Sequence, residues 1–229
     1  MKKLIVNADD FGYRKDVNKG IIYAYKNGIV KSTTVLTGRD AFEEAVAFLK
    51  ENPELKTGLH IDLDKYINIR KDFTDLAMIS EFKLPKPEKQ EIAGEIDRQL
   101  DKFLNAGLKL SHFDGHHNVH MHPEILPLTA QKAKEMNVPI RFFPSFYADE
   151  NLANEMKKIL KDFEIRYCPH FINGWYWGNV DEDFSIAELM THPGFNEMWR
   201  EFEMAKCCDP ALKSYLKEKN IELVSFGDI

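Results

Sequence analysis

The strongest constraint on this chain is a repeated alternation of short apolar or β-branched runs with longer amphipathic runs, sustained across all 229 residues. That pattern requires parallel strands joined by helical crossovers. Residues 4–7 are an apolar run that ends in Ala8-Asp9-Asp10. Residues 16–27 follow, with Val17, Ile21 and Ala24 at helical spacing and Gly28 as the stop. Ser32-Thr33-Thr34-Val35-Leu36 is short and β-branched, 42–52 reads as a helix halted before Pro53, and 55–63 carries a third strand. A loop-rich stretch at 64–89, with Pro85 and Pro87, is expected to serve as a lid or substrate-binding excursion. Further strands are expected at 109–114, 139–143, 164–168, 185–191 and 221–226. Helices are expected at 90–106, 123–137, 151–163, 195–206 and 210–220. No repeat, low-complexity tract or linker divides the sequence. About eight strands in one domain over residues 1–229 predict a TIM-like (β/α) barrel, complete or with fewer than eight regular units. An open doubly wound sheet is the alternative.

Composition narrows the function classes. Hydrophobic residues make up 44% and charged residues 30%, which is globular chemistry, and a net charge of −6 disfavours a nucleic-acid-binding face. Cys168, Cys207 and Cys208 have no spacing that reads as a zinc knuckle or a disulfide framework, so free thiols are expected. The apolar run after Met1-Lys2-Lys3 stops at Asn7, short of a secretion signal, and no run is long enough to span a membrane. The expected location is the cytoplasm.

Chemistry-bearing residues gather where those strands end. Asp9 and Asp10 follow the first strand, and His60 and Asp62 end the third. Asp114 and His116 end the fourth, Arg141 lies on the fifth, and His192 follows the strand at 185–191. In a parallel barrel these ends share one face, where such barrels carry their active sites. One aspartate alone would serve as well as a helix or turn cap. An adjacent pair suits a division into metal ligand and general base. The segment from Ser111 to His122 holds five of the eight histidines, too many for a loop bonding only to itself. His116 and His120 are four apart, so a helical turn would aim both imidazoles one way. Asp114 is placed to fix a histidine tautomer. His60 sits between apolar neighbours, where a packed core histidine is the commoner outcome, and His192 precedes a Pro-Gly turn. Their company at neighbouring strand ends raises both above that reading. One aspartate and two histidines suit a divalent ion, Mg²⁺ or Zn²⁺. Trp175 and Trp177 offer faces for a sugar, although aromatics more often build cores.

These motifs together resemble the YdjC-like (ChbG-type) carbohydrate deacetylases. Asn7-Ala8-Asp9-Asp10-Phe11-Gly12 matches the family's opening motif, and Gly58-Leu59-His60 its G-x-H element. Asp114-Gly115-His116-His117 with Val119-His120 matches the histidine-rich signature, and His192-Pro193-Gly194 the late element. Asn118 stands where members often carry another histidine. The resemblance implies a barrel, often dimeric, that removes acetyl groups from N-acetylated sugars such as chito-oligosaccharides. It implies Asp10, His60 and His116 as metal ligands, Asp9 as base and His192 as acid. Arg141 is then expected to orient Asp9, and His120, Trp175 and Trp177 to meet the sugar. The rival readings are another metal-dependent hydrolase, such as a phosphoesterase using Arg141 as its clamp, and a non-catalytic metal- or sugar-binding protein. Binding alone needs neither Asp9 nor His192, which weighs against the latter.

Overall fold

The computed structural model describes residues 1–66, 86–174 and 180–229. Strand β1 (Lys2–Phe11) is the centre of the sheet, and its last eight residues are buried. β2 (Ser32–Val35), β3 (Lys56–Ile61) and β4 (Leu110–Gly115) follow on one side. β6 (Ile186–Thr191) and β5 (His170–Asn173) lie on the other, giving the order β4-β3-β2-β1-β6-β5. β7 (Ile221–Val224) pairs with Lys2–Ile5 of β1, on the edge that β2 takes over from Asn7 onward. Every pairing among the described residues is parallel. Beyond β4 a single parallel bridge joins Phe113 to Ile140, and the Ile140 N–H donates to the Arg166 carbonyl at 3.0 Å. The sheet thus curls from β4 back toward the segment that leads into β5, a barrel-like arrangement with an irregular seam.

That seam corrects two expectations. The segment at 139–143 makes one bridge rather than a ladder, because Pro139 and Pro144 bracket it and neither has an N–H to donate. The run at 164–168 is no strand either. Glu164 takes φ 60° to leave the preceding helix, and the strand begins only after Pro169, at His170. A regular eight-strand TIM barrel is therefore not formed among the described residues.

Helices α1 (Lys15–Asn27), α2 (Phe42–Glu51), α3 (Lys86–Asn105), α4 (Leu126–Met136), α5 (Glu150–Asp162), α6 (Met198–Cys207) and α7 (Pro210–Glu218) connect the strands. Several of them bury positions at three- and four-residue steps. Ala153, Met156 and Leu160 of α5 and Phe42, Ala45, Val46 and Leu49 of α2 are examples. Side chains on β1 alternate. Leu4, Val6 and Ala8 join the large core beneath the helices, whereas Ile5 packs inside the sheet with Cys168, Val224 and Phe226. Asn7 and Asp9 continue the Ile5 face, and their hydrogen bonds run to Thr34, Asp114 and Arg141. The interior is apolar at the strand starts and polar at the strand ends. No helix among the described residues is long and apolar enough to cross a membrane.

Candidate metal centre and active site

Asp9 and Asp10 reach one site because the strand breaks its own alternation. Asp10 has φ 72°, in the left-handed region, and the register between β1 and β2 shifts between Ala8 and Phe11. Without that irregularity neighbouring residues would face opposite sides of the sheet. Such backbone strain in a non-glycine residue costs about 1–3 kcal/mol and persists where the surroundings over-determine it.

Asp10 presents its Oδ1 to two imidazoles, 2.9 Å from His116 Nδ1 and 3.3 Å from His60 Nε2. Oδ1 is buried and makes no well-formed hydrogen bond among the described residues, and the ligand atoms of Asp10, His60 and His116 all lie within 4.8 Å of one another. Two imidazole nitrogens converging on an orphaned carboxylate oxygen make a three-atom set that fits a divalent cation. The second nitrogen of His60 strengthens the fit. Nδ1 lies 2.7 Å from Asp114 Oδ1, which orients the ring so that a cation at Nε2 would take the place of its proton. Burial works against charge on both partners. The Asp114 carboxylate, with Asp10 and Asp9, nevertheless raises His60 to about 10, and His116 and His60 hold Asp10 well below the usual carboxylate range. The site favours positive charge beside Asp10. Asp64, His116 and His117 form a second close group, more exposed, whose Asp64 also bonds Arg39 at 2.6 Å.

Asp9 is held differently. Arg141 grips both its oxygens, Nη1 to Oδ2 at 2.6 Å and Nη2 to Oδ1 at 2.7 Å, and Asn7 donates to Oδ1 at 2.8 Å. Burial opposes ionisation, but the guanidinium outweighs it, so Asp9 stays ionised far below the ordinary range. Arg141 is itself fully buried, with Glu188 Oε1 at 2.7 Å and Asp114 Oδ2 at 3.0 Å. Three carboxylates consume its charge, and it does not line the cavity, which leaves it no capacity to clamp a phosphate.

Opposite Asp9 stands His192, its Nε2 3.9 Å from Asp9 Oδ2. Glu203 Oε2 accepts from the His192 backbone N–H at 2.5 Å and lies 3.3 Å from Nδ1. Desolvation lowers the pKa of His192, and Glu203 and Asp9 more than reverse it, so the imidazolium is favoured. Asp9, Asp10, His60, His116 and His192 all border one cavity of about 410 Å³, with Tyr13, Asn118, Trp199 and Arg200. A larger cavity of about 560 Å³ opens among residues that begin the strands, such as Lys56 and Leu110, and holds no such cluster among the described residues.

Two expectations fail here. His116 and His120 do not share a helical face, because His117 and Asn118 between them adopt left-handed conformations that break the 3-10 segment His116–Met121. His120 is accordingly buried behind the site with 0% exposure, and its Nε2–H donates to the Arg141 carbonyl at 3.0 Å. It supports the backbone that carries Arg141 and is not a cavity wall. Trp175 and Trp177 lie outside the described residues, as does 67–85 of the expected lid.

The profile of the YdjC-like protein family matches residues 3–218. The chain belongs to the YdjC-like family. Its relatives include proteins named carbohydrate deacetylase from Brevibacillus brevis, 32% identical with 99% of both chains covered, and from Vibrio parahaemolyticus, 30% identical with 98% of this chain and 95% of that one covered. A protein described as a cellobiose-phosphate cleavage protein from Enterococcus faecalis has a crystal structure with the same fold. Its TM-score is 0.76, at 22% identity, with 99% of this chain and 98% of that one covered.

Within this YdjC-like site, sequence reasoning missed Arg200, Glu203 and Glu188. Arg200 and Glu203 ride on α6 and read as ordinary polar positions of an amphipathic helix. Glu188 carried a usable signal, a lone acid inside the apolar strand Ile186–Thr191.

Proposed function

We propose that this YdjC-like protein is a metal-dependent carbohydrate deacetylase, hydrolysing the N-acetyl group of an acetylated amino sugar or chito-oligosaccharide. One observation carries the reading: a His60–His116–Asp10 cluster opens onto the same cavity as Asp9, which faces His192. The curated relatives named carbohydrate deacetylase support the substrate class. Asp10, His60 and His116 would hold a divalent ion, Mg²⁺ or Zn²⁺, which would supply electrophilic activation of the acyl oxygen and of water. Asp9, kept ionised and fixed in direction by Arg141, takes the proton from the attacking water. His192, kept protonated by Glu203, delivers a proton to the departing amine nitrogen. The same reading takes the chain as a cytoplasmic homodimer acting on a free sugar, with sedimentation equilibrium as the check on assembly.

The test measures acetate release from N-acetylglucosamine oligomers by chelated protein before and after Mg²⁺ or Zn²⁺ is restored. Release is expected only with metal, and Asp9→Asn should reduce it by about 100-fold or more, the usual scale of a lost general base. Metal-independent release, unchanged release in Asp9→Asn, or turnover of phosphoesters in place of acetylated sugars overturns the reading.

A further inference from the structure

Arg200 has no place in the chemistry above, yet its setting is specific. It sits on α6 at 4% exposure and borders the cavity. Its Nη2 donates to Asp10 Oδ2 at 2.7 Å and its Nε to Glu197 Oε2 at 2.8 Å, while Nη1 is buried with no hydrogen-bond partner among the described residues. A half-satisfied buried guanidinium is a poor choice for stability alone. The fold also clears a path for it. A Cβ on Gly194 would come within 2.8 Å of Arg200 Cδ and 3.2 Å of its Cβ, so the glycine of His192-Pro193-Gly194 leaves room for this stem. The two oxygens of Asp10 consequently face opposite partners, Oδ1 the imidazoles and Oδ2 the guanidinium.

We infer that Arg200 is a positioning residue that keeps Asp10 a one-oxygen ligand. By engaging Oδ2 it prevents the carboxylate from chelating through both oxygens, and its charge moderates the affinity of the site for a cation. Both effects leave the ion more open to substrate and water. The inference rests on the proposed metal site and predicts an opposition that a purely structural role does not: loss of Arg200 strengthens metal binding while it weakens turnover.

The experiment titrates zinc into chelated parent protein, Arg200→Met and Arg200→Lys by calorimetry, with thermal melting to establish that each variant folds. Arg200→Met should bind zinc at least about tenfold more tightly, since a cation within a few ångströms of the ligand oxygen has been removed. Its kcat for acetate release should fall about tenfold or more with KM changed less. Arg200→Lys should restore part of both. Zinc binding in folded Arg200→Met that is weaker than, or within threefold of, the parent overturns the inference, as does unchanged kcat alongside tighter binding. The titration needs no substrate. If the parent releases no acetate but Arg200→Met still binds zinc more tightly, the deacetylase reading falls and the assignment of Arg200 stands. A parent that takes up no zinc overturns both.

Discussion

His192 and Glu203 make a carboxylate–imidazole pair whose second nitrogen faces Asp9. The pKa of His192 is raised, so the protonated form persists above the ordinary histidine range and is lost as pH climbs through that raised value. Glu203→Gln removes the nearer of the two carboxylates that raise it. The alkaline limb of the kcat–pH profile should then move to lower pH, and an unmoved limb would remove His192 from the role of acid. Asp114 acts through His60. It bonds His60 Nδ1 and accepts from Thr34 Oγ1 at 3.0 Å. Asp114→Asn should lower metal affinity about 10–100-fold, the usual effect of losing an orienting carboxylate, measured by calorimetry on the chelated protein. The residue types were legible in the sequence. What was not legible is which oxygen or nitrogen faces which partner, since a left-handed Asp10 and two left-handed residues after His116 redirect side chains that regular geometry would have aimed elsewhere.

The elements bring these groups together through close backbone contacts. Gly20 on α1 meets the turn that follows β6, where an added Cβ would lie 2.3 Å from Gly194 Cα. That clash is with backbone and has no rotamer escape. Gly20→Ala should destabilise the fold by about 1–3 kcal/mol, the scale of overpacking, as read from urea midpoints, and should depress activity by displacing the turn that carries His192. Strands and helices with plain periodicity were read correctly in kind, with ends shifted by a few residues. The seam at 139–143 and 164–168 was misread because composition there is β-like, while prolines and a left-handed Glu164 deny it a ladder.

Across the whole molecule, the barrel interior concentrates charge that stability must accommodate. Arg141 is surrounded by Asp9, Asp114 and Glu188, and burial, aided by the other two carboxylates against Arg141, pushes Glu188 up to about 7. A carboxyl whose folded pKa is raised binds its proton more tightly when folded. Its contribution is present in full below the unfolded value, about 4.5, and is lost as pH rises through about 7. Glu188→Gln removes that dependence. The stability of the parent relative to the variant should decline between about pH 4.5 and pH 7, and a constant difference in melting temperature would show that Glu188 does not titrate there.

The sequence by itself determined the alternation of strands and helices, the polar residues at strand ends and the motifs shared with YdjC-like proteins. Those properties are local: periodicity sets which face is buried, and chain order along a parallel strand sets which end a side chain occupies. Only the tertiary structure decided that Arg200 meets Asp10 across 190 positions of chain, that Glu203 orients His192, and that Arg141 spends its charge on buried carboxylates. Such partners depend on how the barrel-like sheet curls and how α6 docks on it, and no spacing along the chain encodes either.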